Sequence, residues 1–424
     1  MTTSRHPSRR AFLQAGGLSL LLRPTLHGEE RKVPANSRIG VGVIGLGGQG
    51  LRDLVNFRAQ KDVQIVAVCD VDATRRAAGL AKVEEATGGH ACVALRDFRE
   101  LLARPDVDAV VIAIGERWHA PMSVLAAKAG KDIYCEKPAT FALREGRALA
   151  KAVADHARVY QCGTQRRSQW AFRYAIDLAR SGKLGKLRVL YAHSHSFGWR
   201  TDVLPEEPEP DREVLDWDLW VVPSPRVPFS RALFNDWRRV KGLADPGIAE
   251  WGGHGADLCQ MANQSDASGP VQYRLTDGYV TATYANGVEV RFTQPPGYHP
   301  DGAISARFEG EDGWFYVDDS GNIESGPPSL AADYRAERTR SWQDLRNWTN
   351  HHRNFLDCVK TRAQPASSVE VAHRAASACH LAVVCHQLGA DIRWDPATEQ
   401  LVGNPAGEAL LQRSLRPPWD RAPG

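Results

Sequence analysis

Short, wholly apolar runs alternate with stretches of mixed polarity along the first part of this chain. Runs suited to strands buried on both faces fall at 40–44, 64–69, 109–114, 132–135 and 159–162. Between them, apolar residues recur at helical spacing over 49–59, 73–85, 120–129 and 143–156. Strand and helix in alternation predict a doubly wound α/β (Rossmann) domain over 38–162. After residue 165 the texture changes. A helix is predicted over 170–181, ended by Gly182, and a strand over 187–195. Residues 201–212 are proline-rich and acidic, which reads as an exposed loop. Strand-like runs return at 271–275, 279–284, 288–293, 304–309 and 314–317, with a hairpin signal at Ala285-Asn286-Gly287. A helical stretch over 351–388, broken at 362–368, is stopped by Gly389. Residues 163–395 are therefore predicted to form a second, α+β domain with an open, largely antiparallel sheet, and 396–424 a C-terminal tail.

The first apolar run leads straight into Gly45-Leu46-Gly47-Gly48-Gln49-Gly50, a G-x-G-x-x-G turn at the mouth of a helix. Gly45 permits the tight turn, Gly47 lets a pyrophosphate approach the backbone, and Gly50 lets the helix pack close to the strand. The helix N-terminus, with Gly48 and Gln49 in its first turn, offers N–H groups and a positive dipole end to phosphates. Twenty residues beyond Gly50, the second apolar run ends in Asp70, where an acid hydrogen-bonds an adenosine ribose. Its charge favours NAD over NADP, although Arg75 and Arg76 keep NADP possible.

Charge and cysteine usage narrow the picture. A formal net charge of +3 over 424 residues, without a basic stripe, gives no support to nucleic-acid binding. The eight cysteines include no C-x-x-C, and a metal site is not expected. Residues 1–33 read as an export signal and linker. Arg9-Arg10 precede Phe12-Leu13 and a short apolar run to Leu22, too short to span a bilayer. Export by the twin-arginine route to the periplasm is the expectation, with no stable membrane span.

Two further constellations carry chemistry. Glu136-Lys137-Pro138 follows the run 132–135 at the carboxyl edge of the predicted sheet, where doubly wound folds hold their ligands. In Glu250-Trp251-Gly252-Gly253-His254-Gly255-Ala256-Asp257, a helix would bring Glu250 and His254 to one face, and His254 and Asp257 into reach. An imidazole beside a carboxylate can move a proton near neutral pH, and the same spacing serves equally to stabilise a helix.

Taken with Trp118-His119-Ala120-Pro121, Gly130-Lys131-Asp132, Gly163-Thr164-Gln165-Arg166-Arg167-Ser168, Leu215-Asp216-Trp217 and Arg353-Asn354-Phe355, these motifs resemble the Gfo/Idh/MocA family, in its exported branch. The resemblance covers nearly all of residues 38–395. It implies an NAD(P)-dependent oxidoreductase acting on a secondary hydroxyl of a sugar. Lys137 would orient that hydroxyl and His254 would take its proton. Glu250 would be the third catalytic member, although relatives carry an aspartate there. Trp118, His119, Glu136 and Lys137 would join the glycine turn at the cofactor, with His119 equally readable as a helix cap. The chain departs from the family again at Ile114-Gly115-Glu116-Arg117, where T-P-x-H is common.

Substrate contacts are expected from Gln165, Arg166, Trp237 and Asp257, and from one or two of the crowded tryptophans Trp199, Trp217, Trp220, Trp237 and Trp251. Arg166 and Arg167 suit either an acidic sugar or the seal of a domain junction. Export would make free NAD scarce, which argues for a tightly held cofactor. Glycoside cleavage by transient oxidation is thus an alternative, and a non-catalytic sugar-binding protein a third reading. The open sheet predicts a homodimer or homotetramer.

Overall fold

Val41, Val43 and Ile44 lie in a strand whose six residues are all buried, which explains why this run shows no polar alternation. The computed structural model describes residues 38–88, 92–194, 197–200, 202, 204–250, 252–300, 304–340 and 349–419, with the backbone alone at 87, 249, 250, 338–340 and 349. The twin-arginine segment lies outside them. Strands β1 (Ile39–Ile44), β2 (Val63–Cys69), β3 (Val93–Leu95), β4 (Ala109–Ile112), β5 (Asp132–Cys135) and β6 (Tyr160–Cys162) form one sheet, ordered β3-β2-β1-β4-β5-β6. Every pairing in it is parallel. Leu54 and Phe57 of the helix Gly48–Arg58 cover one face, and Ala126, Leu149 and Val153 cover the other. The order reverses at β1 and β4, so the crevice of this sheet opens between the loops that follow them.

A second sheet contains β7 (Leu187–Ala192), β8 (Gln272–Thr276), β9 (Tyr279–Thr283), β10 (Glu289–Phe292), β11 (Ser305–Gly310), β12 (Trp314–Asp318), β13 (Ile323–Gly326), β14 (Ile392–Asp395) and β15 (Gln400–Leu401). Its order is β13-β12-β11-β7-β10-β9-β8-β14-β15. Among the described residues of this sheet, only the β7–β10 pairing is parallel. Leu190, Val280, Phe292, Phe308 and Phe315 line one face and pack on the helices Trp170–Arg180, Gly252–Ala262 and Val369–Leu388. On the opposite face the Arg307 guanidinium lies 3.7 Å from the Trp314 ring centre, and Arg291 5.9 Å from that of Tyr191.

The two halves are stitched together. Phe355 and Leu356 of the helix Thr349–Thr361, read from sequence with the second domain, are buried in the core of the first sheet. Residues 396–419, read as a tail, are docked: Leu411 is buried, Arg413 pairs with Glu145, and Trp419 packs edge-on to Trp118. A band around the helices Trp217–Val221 and Arg231–Asn235 has its own apolar cluster of Leu215, Trp217, Trp220, Phe229 and Phe234. It reaches back to the turn after β2, where Ala73 N donates to Val214 O (2.9 Å) and Asp216 N to Val71 O (3.2 Å). Among the described residues no helix is long and apolar enough to cross a membrane.

Candidate active site

Two of the motif glycines are dictated by packing. Gly45 has φ +89°, and a Cβ there would lie 2.3 Å from the Ala113 carbonyl oxygen. A Cβ on Gly50 would lie 1.9 Å from the oxygen of Gly45. Gly47 and Gly48 differ: a Cβ on Gly48 would meet nothing within 4 Å, and one on Gly47 only Arg75 Nη1, at 4.0 Å. Both line a cleft of about 420 Å³. The helix Gly48–Arg58 points its N-terminus there with no side-chain cap and no acid in its first turn. Its end therefore suits an external anion.

Asp70 also lines the cleft. Its carboxylate accepts from Leu46 N (2.7 Å) and Asp72 N (2.9 Å), which ties the glycine turn to the end of β2. Burial raises its pKa against the pull of those two donors. Arg75 faces the cleft and lies 4.4 Å from the centre of the Phe234 ring, while Arg76 is spent on the carbonyls of Asp70 and Glu213. The glycine turn, the open helix end and Asp70 together fit a dinucleotide. Gly47, Gly48 and Gln49 would hold its phosphates, and Asp70 a ribose.

On the other side of β1, the loops after β4 and β5 bring Trp118, His119, Glu136 and Lys137 to the same cleft. Glu136 is buried and accepts from Gln165 Nε2 (2.5 Å) and Gln49 Nε2 (3.3 Å). Burial, with the Asp53 carboxyl adding to it, pushes its pKa up to about 8. His119 places Nδ1 2.6 Å from the Pro138 oxygen and Nε2 3.2 Å from the Ile114 oxygen. A neutral ring has one N–H, and the shorter contact takes it. Burial lowers the pKa of this ring to about 4. His119 thus braces the Lys137-Pro138 turn against the loop after β4.

The facing wall comes from the second half. His254, on the helix Gly252–Ala262, is buried and lines the cleft with Arg166, Trp220, Trp237 and Arg238. The site for a Cβ on neighbouring Gly253 is 4.0 Å from Lys137 Cδ. Arg166 Nη1 stands 2.9 Å from His254 Nε2. Burial, then Arg166 and Lys137, hold the imidazole far below its usual pKa. The Arg117 guanidinium is buried 4.1 Å from the Trp220 ring centre and donates to the Trp220 oxygen.

Several expected contacts resolve differently. Asp257 does not line the cleft: it is fully buried, and its oxygens accept from Arg167 Nε and Nη2, each at 2.9 Å. The charge that was expected to meet His254 is thus consumed in closing the junction. Gln165, Arg166 and Trp237 do line the cleft. Trp217 is core, stacked 4.5 Å from Trp220, and Trp199 Nε1 donates to the Ala244 oxygen. Trp251 and the Glu250 side chain lie outside the described residues. Arg117, marked in the sequence only as part of the departure at 114–117, lines the cleft, as does Phe234, which nothing local in the chain marks.

A family model described as "Oxidoreductase family, NAD-binding Rossmann fold" matches residues 39–164, and one described as "Oxidoreductase family, C-terminal alpha/beta domain" matches 177–421. Myo-inositol 2-dehydrogenase of Thermotoga maritima is 29% identical over 150 residues, 35% of this chain and 43% of that protein. A glycosyl hydrolase family 109 protein of Solibacter usitatus is 37% identical over 115 residues, 26% of each chain. The chain thus spans less than half the length of these curated relatives. The crystal structure of GenD2, from gentamicin A biosynthesis, in complex with NAD superposes with a TM-score of 0.60 at 17% identity, covering 89% of this chain and all of that one; the likeness is one of fold. With two family models together covering most of its length, this chain belongs to the Gfo/Idh/MocA oxidoreductase family.

Proposed function

We propose that the protein oxidises a secondary hydroxyl of a sugar or sugar derivative, with NAD as the favoured cofactor and NADP the alternative. The observation that carries this reading is the convergence of Lys137 and His254, from opposite halves of the chain, on the cleft that holds the glycine turn. When bound, the nicotinamide supplies a hydride acceptor. The chain's own groups do the rest. The ammonium of Lys137 stabilises the oxygen as negative charge builds on it, and the neutral His254 ring takes the hydroxyl proton. Trp237, which lines the cleft, offers a flat face to the C–H surface of a sugar, whereas the Trp220 ring is covered by Trp217 and Arg117. Glu250 remains a candidate third member of the catalytic set, and Glu136 and Trp118 candidate cofactor contacts.

The test has two parts. Protein purified from its native compartment is denatured and assayed for released nicotinamide cofactor, then a sugar panel is screened for ketone formation. Stoichiometric NAD or NADH with ketone formation supports the reading. Lys137→Ala is expected to retain cofactor while losing about 10²–10⁴-fold in turnover. Failure of the wild type to bind any nicotinamide cofactor would sink the proposal.

A second reading is favoured by the family 109 glycosidase relatives. In it, oxidation is transient, acidifies a neighbouring C–H, and leads to elimination of the glycosidic oxygen without net redox change. Cleavage with no accumulating ketone distinguishes it. The twin arginines support export to the periplasm, where a retained cofactor suits either chemistry. A signal-fusion reporter in wild-type and twin-arginine-transport-deficient cells tests that. The tyrosine, tryptophan and arginine side chains on the outer face of the second sheet support a homodimer or homotetramer.

A further inference from the structure

Arg166 lies in the turn that follows β6, His254 on a helix of the second half, and Asp319 directly after β12. Arg166 and His254 line the cleft, and Asp319 is bound to Arg166. Arg166 Nε contacts both oxygens of Asp319 at 3.2 Å, and Nη2 donates to one of them at 2.6 Å. That grip orients the guanidinium plane and leaves Nη1 aimed at His254 Nε2, 2.9 Å away. A guanidinium has five donors and no acceptor, so the hydrogen in this contact belongs to Arg166. His254 Nε2 must then be the acceptor, and the ring's single proton sits on Nδ1. Nδ1 is buried and has no hydrogen-bond partner among the described residues.

We infer that Arg166, held by Asp319, is a positioning residue that fixes the tautomer of His254 and keeps its ring neutral, so that Nε2 is the ring atom able to take a proton. The reading of His254 as proton acceptor comes from the proposed function, and this inference rests on it for its catalytic consequence alone. A second ring proton would have to sit on Nε2, directly against an N–H of a permanent cation. The other groups around His254 reinforce the bias. Lys137 and His351 face it from the first half and the helix Thr349–Thr361, and both disfavour a charged ring. Asp257, on the same helix, could have offset them but is bound to Arg167. The Glu250 side chain lies outside the described residues.

The consequence is a base that is ready at physiological pH and binds the proton only weakly. Nε2 has one lone pair, so during turnover the substrate hydroxyl must displace Arg166 Nη1 from it. The proton moves from the hydroxyl to Nε2, and the same nitrogen returns it when the hydroxyl re-forms.

Selective ¹⁵N-histidine labelling tests the inference without any substrate. The His254 signal is assigned from its loss in His254→Gln, and the ring nitrogens are followed between about pH 5 and 8. In the wild type the expected pattern is a neutral ring with the proton on Nδ1 throughout. In Arg166→Gln the ring is expected to protonate within that range. In Asp319→Asn, which keeps the guanidinium but loosens its grip, a mixture of Nδ1–H and Nε2–H tautomers is expected, with the ring still neutral. The acid limb of the kcat/KM profile should move upward by about one pH unit or more in Arg166→Gln. A wild-type ring carrying its proton on Nε2, or charged at neutral pH, overturns the inference. So does a ring that titrates identically in all three proteins. If Arg166→Gln does not fold, Asp319→Asn decides alone. Loss of activity with every sugar would count against the proposed reaction and leave the spectroscopic result standing.

Discussion

Gly50 has no room to change. The atom that alanine would add lies 1.9 Å from a backbone oxygen, a clash that no rotamer relieves. Gly50→Ala is therefore expected to lose about 1–3 kcal/mol in thermal melts, and its cofactor affinity with it. Gly48→Ala, which meets nothing within 4 Å, should melt like the wild type. Glu136 offers a pH signature. Its folded pKa is raised from 4.5 to about 8, so the folded state holds this proton more tightly than the unfolded chain does. The contribution is complete below the unfolded pKa and is lost as pH rises through about 8. Melts across this window should show wild-type stability falling relative to Glu136→Gln; parallel curves would contradict it. At this scale the sequence was informative wherever a motif is contiguous. Glu136, Lys137 and the glycines announce themselves through spacing. The partnership of Arg166 with Asp319 spans 153 residues, and nothing local signals it.

Elements were legible in proportion to their burial. The strands of the first sheet that are covered on both faces showed as apolar runs, whereas β3 is three residues long and largely exposed, and left no pattern. β13 was missed for the same reason, its side chains being only half-buried, and β15 because two residues cannot show a period. The helix Thr349–Thr361 has an amphipathic sequence that predicts a helix but cannot say which core receives it. The turn Gln165–Ser168 shows how one short element serves two ends. Arg166 faces the cleft, while the neighbouring Arg167 is buried against Asp257 and Asp266. Removing one partner of such a pair strands the other charge. Arg167→Ala is expected to cost about 3–5 kcal/mol in denaturant unfolding. Arg167→Met combined with Asp257→Leu should cost less than Arg167→Ala alone, since no charge is stranded at 257.

At the scale of the whole molecule, the two sheets do not behave as beads on a string. The band around Trp217–Val221 and Arg231–Asn235 belongs to the second half, yet it is fastened to the turn that carries Asp70. The outer face of the second sheet carries the buried Tyr191 and Arg307 beside the half-buried Arg291 and Trp314, and these residue types are enriched at protein interfaces. Light scattering at micromolar concentration is expected to report a dimer or tetramer, and a clean monomer would refute that expectation. The band has a consequence of another kind. A pocket whose wall is also a latch exchanges its occupant at the rate the latch opens, not the rate of diffusion. Phe234→Ala, which removes the ring against Arg75, should speed loss of bound NADH about threefold or more, read as decay of its fluorescence against a scavenger. With a retained dinucleotide, as proposed above, brief mixing of purified protein with fresh dinucleotide is expected to register almost no exchange.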